Sequence, residues 1–302
     1  MEPAPPPVRA GADIWLEAGP WRPRSAARHL LPAFSAISAI DYSLRFEVSV
    51  LAPDGWSPWA TSETLGSASF SPLPARAAGL HADVDVFTTT APIEAVRLRV
   101  RLPAADAATV LATPWLLTLS ACDLAPPGSD GGPAASPRLE VPALSQMREG
   151  GALGARVCSP TSVAMVLAYF GITDSVPRLA AEMFHPGLDL YGVWPAAICA
   201  AGRRGVLGYL LRFPDWTAAR WCLDHGLPII ASVRYAAGEL AGAAVAATVG
   251  HLLVLTGYEG EHVLVNDPAA PDASSVRRRY ALSELTRAWL ERTGVGYVLF
   301  RP

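Results

Sequence analysis

Two stretches of strict alternation mark the front of the chain. Tyr42, Leu44, Phe46, Val48 and Val50 alternate with Ser43, Arg45, Glu47 and Ser49; later, Val96, Leu98, Val100 and Leu102 alternate with Arg97, Arg99 and Arg101. A period of two is the signature of a half-buried strand. Residues 115–120 add a further apolar run, and Asp54-Gly55 with several Ser and Pro turns fills the intervals. Short strands at this spacing, with no helical period, predict an all-β sandwich over residues 14–122. The arginine row reads as the solvated face of its strand. Residues 1–13 are proline-rich and read as disordered, and 123–141, dense in Pro, Gly and Ser without any period, reads as a linker.

Beyond the linker the period lengthens. Val163, Met165, Val166 and Tyr169 give one apolar side to a helix that Ser159 can cap, with Pro160 at its first position and Gly171 past its end. Further helices are expected over 174–184, Trp194–Gly202 and 216–225, then strands over 228–235, 251–257, 262–267, 277–280 and 295–300. Ser283 is placed to cap a last helix through Leu290. Helices first and antiparallel strands second predict an α+β domain with two lobes over 142–302.

Length and composition narrow the field. A chain of 302 residues can hold two cores, and 51% hydrophobic against 17% charged residues is a globular balance. The formal charge of -3 leaves no basic field for nucleic acid. All 24 cationic residues are arginine, so a phosphate-binding P-loop and a pyridoxal Schiff base, both of which need lysine, are excluded. The longest uncharged run, 241–258, is too rich in Ala, Gly and Thr to span a bilayer. With no signal-peptide pattern at its start, the chain as it stands reads as cytoplasmic, or as exported if a signal has been removed. Cys122, Cys158, Cys199 and Cys222 lack metal-site spacing; Cys199 and Cys222 either pair in an oxidising compartment or stay as buried thiols. No metal or organic cofactor is indicated.

One cysteine stands apart from the other three. Cys158 sits where a loop enters a helix, and the positive end of the helix dipole favours a thiolate there. A cysteine nucleophile needs a base and a group that orients the base. Of the six histidines, His251 opens a strand after Gly250, and the chain returns through a turn to Asn266 and Asp267. A three-residue loop ending at Gly260 would put Asp267 directly opposite His251; a two-residue Glu259-Gly260 loop would put Asn266 or Pro268 on that face. The carboxylate is the better partner, since it fixes the tautomer and stabilises the imidazolium. Gln146, in the loop before Cys158, can supply an oxyanion donor beside the Cys158 N–H. Ser159, Trp194, Gly250 and Asn266 are the candidates for lining a substrate cleft. Trp56 and Trp59 seal the edge of the sandwich or, in a second reading, stack a sugar ring.

The segments SQMREGG…CSPTSVAMVL, GHLLVLTGY and VLVNDPAAP resemble the stand-alone branch of cysteine peptidase family thirty-nine, the bacteriocin-processing (double-glycine) peptidases. The likeness covers about 144–301, and exported bacterial relatives often carry a β-sandwich in front. It implies a papain-like fold and a thiol hydrolase acting on peptide or protein substrates. Cys158 would be the nucleophile, His251 the base, Asp267 the orienting acid and Gln146 an oxyanion-hole residue. Ser159 departs from the family's usual Gly, which bears on cleft shape. The same triad serves an amidase or transacylase, and a catalytically dead protein binding glycan, cell wall or peptide is a third possibility.

Overall fold

The computed structural model describes residues 5–52, 55–123 and 138–302. Asp54 of the expected turn and residues 124–137 of the expected linker lie outside them. The chain separates into two compact units, Met1–Asp123 with Gly202–Gly205, and Leu124–Ala201 with Val206–Pro302. Among the described residues no helix is long and apolar enough to cross a membrane.

The first unit contains two antiparallel sheets. Arg45–Ala52 and Ala95–Pro103 pair side by side, Val48 opposite Leu98, and bury Phe46, Val48, Leu98 and Val100 on one face. Three expectations change here. Pro7–Ala10 is a strand, not disordered: a two-residue Gly11-Ala12 turn, with Gly11 at φ 64°, folds it back onto Asp13–Trp21. It lies at the sheet edge, where proline costs no ladder bond. Ala104–Leu111 is a helix in a stretch expected to be all-β; Pro103 closes the strand, and the alanine-rich run that follows has high helix propensity.

The third change concerns the arginines, which are partly to fully buried and paired or stacked. Arg101 Nε donates to fully buried Glu47 at 2.6 Å and its Nη1 to Asp13 at 3.2 Å, while Arg45 donates to the same Glu47 oxygen at 2.8 Å. Arg97 stacks over Trp56 at 4.1 Å, and Arg99 over Trp59 at 3.8 Å and Trp15 at 4.7 Å. The tryptophans therefore cover guanidinium groups on the sheet face, Trp56 from the edge strand Gly55–Trp56.

The second unit is built on a six-stranded antiparallel sheet in the order Leu207–Arg212, Val295–Phe300, Ile229–Tyr235, Thr248–Glu259, His262–Asn266, Arg277–Ala281. The first of these was not anticipated. Phe213, Trp216, Leu253, Tyr258, Val263, Tyr280 and Trp289 form its buried core, with Trp216 edge-on to both Tyr258 and Trp289.

The helix Cys158–Tyr169 differs from the expected one-sided amphipath, because Ser159 to Leu167 are all buried. A helix apolar nearly all round belongs in an interior. Its cap also differs: Val157 is the N-cap and Ser159 lies inside the first turn. Gly171, at φ 79°, ends it as expected; its N–H bonds Ala168 O and the Ile172 N–H bonds Leu167 O, the paired bonds of a Schellman stop. Ser175 caps Val176–Met183 and Asp215 caps Trp216–Asp224 through their side-chain oxygens. Ser283, by contrast, is the second residue of Leu282–Leu285, and Ala281 takes the cap position.

Candidate active site

Cys158 is the first residue of its helix, and that helix is fastened to the strand Thr248–Glu259 by Ser162, whose hydroxyl donates to Leu252 O at 3.2 Å. This sets Cys158 beside His251, where the imidazole favours the thiolate. On the other side of the ring, His251 Nε2 lies 2.8 Å from Asp267 Oδ1. Nε2 is thus committed to the carboxylate, which leaves Nδ1 for the sulfur.

The route by which Asp267 reaches His251 is not one the sequence suggested. The hairpin closes through Gly260-Glu261, with Glu259 opposite His262 and Gly260 at φ 57°. Regular pairing would then run on unchanged, but the register shifts by one at Thr256. Val254 therefore faces Asn266, and Asp267 comes level with Leu253, two residues along on His251's own face. The carboxylate meets the imidazole diagonally. The bulge is held from both sides: Thr256 Oγ1 donates to Leu264 O at 3.1 Å, and Thr256 O accepts from Leu139 N at 2.7 Å.

Asp267 is fully buried and its oxygens are well supplied with donors. Oδ1 takes the Ala269 N–H at 3.0 Å as well as the imidazole, and Oδ2 takes the Tyr280 hydroxyl at 2.6 Å. Burial alone would raise its pKa, but the charge and hydrogen bond of His251, then Tyr280 and Ala269, hold it below the ordinary carboxylate value. Burial works against a charged His251 too, yet Asp267 and then Cys158 push its pKa up to about 10. For Cys158, burial disfavours the thiolate. The hydrogen bond and charge of His251 outweigh it, helped by the N–H groups of Leu252 and Ser159, and the thiol falls below its ordinary range. All three shifts favour a thiolate–imidazolium pair backed by a carboxylate.

Gln146 opens the short helix Gln146–Glu149 and is buried. Its N–H bonds Pro268 O at 2.9 Å, next to Asp267, and its Nε2 donates to Gly154 O at 2.7 Å. The side chain is held rather than free to swing, with one amide hydrogen uncommitted.

The cleft candidates fare differently. Ser159 is 1% exposed and its hydroxyl pairs with Tyr297 Oη at 3.3 Å, so it faces the interior; only its N–H serves the sulfur. Asn266 also leaves the cleft, because alternation turns it away from His251, and its amide donates to Val141 O at 3.0 Å and Pro142 O at 3.3 Å. Gly250 is exposed, with open space where a Cβ would stand. Trp194 opens Trp194–Gly202 and is half-buried. Tyr280 was missed from sequence; its signal was register, since it pairs with Val263, which shares a face with Asp267. All four cysteines are free thiols, and no cluster of metal-ligating side chains occurs among the described residues.

The family model of the Peptidase_C39 like family matches residues 138–297. The chain belongs to this family. A Peptidase_C39 like domain has the papain-like fold, and the α+β second unit, with its buried helix beside an antiparallel sheet, is that domain. Three solved structures are similar to parts of the chain. One is a double glycine motif protease from an AMS/PCAT transporter in complex with the leader peptide (20% identity, 57% of this chain and 100% of that one, TM-score 0.39). Another is the peptidase domain of Streptococcus ComA, a bi-functional ABC transporter involved in a quorum sensing pathway (17%, 49% and 93%, TM-score 0.36). The third, from Bacillus anthracis, is described as a C39-like peptidase (19%, 56% and 99%, TM-score 0.44). No curated protein matches the chain.

Proposed function

We propose that this member of the Peptidase_C39 like family is a cysteine peptidase that cleaves peptide bonds through a thioester. The observation that carries the reading is the 2.8 Å contact between His251 Nε2 and Asp267 Oδ1, on a histidine that Cys158 and Asp267 together hold towards its charged form. The Cys158 thiolate attacks the carbonyl carbon and the electron pair moves onto oxygen. The Cys158 N–H and the free amide hydrogen of Gln146 receive that oxyanion. His251 then passes its proton from Nδ1 to the departing amine as the C–N bond breaks. Water, deprotonated by the now neutral His251, attacks the thioester; the acid leaves and the thiol is restored. Asp267 keeps the ring oriented throughout and stabilises its cationic form.

In this reading residues 142–302 are the peptidase domain, the substrate is a peptide or protein, and residues 14–122 form a β-sandwich accessory domain. The test is a mass-spectrometric cleavage profile of a broad peptide library with wild type and with Cys158→Ala. Cleavages present only with wild type support the reading, and identical profiles sink it. Products carrying an added amine would instead mark acyl transfer.

A further inference from the structure

Asp267 is fully buried, yet one of its oxygens is reserved for a group the reaction scheme leaves unused. Oδ1 serves His251 and the Ala269 N–H, whereas Oδ2 accepts the Tyr280 hydroxyl at 2.6 Å. Tyr280 is itself 0% exposed, on the strand Arg277–Ala281, in register with Val263. That strand adds to the hairpin carrying His251 and Asp267, and the Asp267 N–H bonds Val276 O at 2.8 Å beside it. A phenylalanine would fill the same space but would leave Oδ2 of a fully buried carboxylate without this donor.

We propose that Tyr280 is a positioning residue for the Cys158–His251 pair: its hydroxyl fixes the plane of the Asp267 carboxylate and keeps it ionised, so that Oδ1 stays on His251 Nε2. This rests on the peptidase reading, although its own readout does not. A carboxylate with no donor on Oδ2 could turn about its last torsion, and only the geometry with Oδ1 on Nε2 presents Nδ1 to the sulfur. Among the described residues, other titratable and charged groups are linked to this cluster. Beyond His251 and Tyr280 they are Tyr235, Arg278 and, through the imidazole, Cys158. Tyr235 gives its hydroxyl to Val245 O at 3.3 Å and Arg278 its Nη1 to Gly242 O at 2.7 Å, so neither replaces the phenol on Oδ2. The phenol is well chosen for the task, because burial and the neighbouring carboxylate keep it protonated far into alkali.

The experiment is the pH dependence of Cys158 alkylation by iodoacetamide, read by mass spectrometry, which requires no knowledge of the substrate. Tyr280→Phe keeps the ring and removes the donor. Its acid limb is expected about one pH unit higher than in wild type, with alkylation slowed roughly ten-fold on that limb. In an Asp267→Asn background the same substitution is expected to move nothing further. A role confined to packing would shift the melting temperature and leave both pH profiles in place, which overturns the proposal. So would an equal shift in the Asp267→Asn background. Should Tyr280→Phe fail to fold, a fluorinated tyrosine at 280 strengthens the donor and is expected to move the limb the opposite way; an unmoved limb again overturns the proposal. A shifted limb in a protein that cleaves no peptide would uphold Tyr280 and defeat the peptidase reading. Cleavage with an unshifted limb would do the reverse.

Discussion

His251 and Asp267 meet diagonally across a hairpin, 2.8 Å apart, because Thr256 is an extra residue in one of its two strands. Remove that residue and every position between it and the strand start changes face. Deletion of Thr256 is therefore expected to turn His251 away from Asp267 and leave Cys158 with the reactivity of an ordinary thiol. Alkylation rates at about pH 6 measure this; a wild-type rate in the deletion variant would contradict the geometry.

The pair of opposite shifts at Cys158 and His251 has a consequence for stability. Unfolded, in the window from 6.5 to 9.0, the two groups hold one proton between them, on the sulfur. Folded as thiolate and imidazolium, they also hold one, on the ring. Equal proton counts give no slope, so the pair contributes no pH dependence there. Cys158→Ala uncovers the histidine alone. Its folded pKa stays raised by Asp267, so its contribution is complete below 6.5 and is lost as pH rises toward the folded value, about 10 in the intact site. The melting temperature of Cys158→Ala is expected to fall across that window while the wild-type curve stays flatter. Parallel curves would argue against the ion pair.

Cleavage should show a bell-shaped pH profile, limited on the acid side by formation of the Cys158 thiolate and on the alkaline side by loss of the His251 proton, near about 10. Cys222, which burial pushes up to about 11, should resist alkylation where Cys158 reacts. Peptide mapping after brief labelling distinguishes the two thiols.

Gln146→Ala removes one oxyanion donor and leaves the thiolate pair intact. Turnover is expected to fall about a hundred- to a thousand-fold with little change in Cys158 alkylation. A parallel loss of both would mean that the Gln146 side chain acts by bracing the loop through Gly154 O.

In the first unit, Glu47 is 0% exposed and receives both Arg45 and Arg101. Glu47→Gln removes the carboxylate that Arg45 and Arg101 share, leaving Arg101 only Asp13, and is expected to cost about 3 kcal/mol, measurable by urea unfolding. Wild-type stability would show that this network is better hydrated than its burial indicates.

What could be read from the chain divides along physical lines. Cys158 at a loop-to-helix junction and His251 followed by Asp267 were legible, because helix starts and hairpins leave local marks. The path between them was not, since a bulge at Thr256 has no residue signature and two simpler loops fitted the same sequence. Ser159 and Asn266 were placed in the cleft for want of facing information: one looks inward to Tyr297, the other toward Val141 and Pro142. The arginine row illustrates a wider limit. Alternation says that Arg97, Arg99 and Arg101 share a face, but only the fold brings Glu47, Trp15 and Trp59 onto it.

The grip of the hairpin on residues 139–142 has a practical meaning. Leu139 N occupies the bulged carbonyl of Thr256, and the carbonyls of Val141 and Pro142 occupy the amide of Asn266, one residue before Asp267. A fragment trimmed to begin at the helix of Cys158 would lose these clasps and the Gln146 loop together. The carboxylate would then stand at the end of a strand that has lost the bonds from 139–142 and keeps only its sheet partners. The shortest piece able to keep the Cys158, His251 and Asp267 arrangement therefore starts at or before Arg138, well upstream of Cys158.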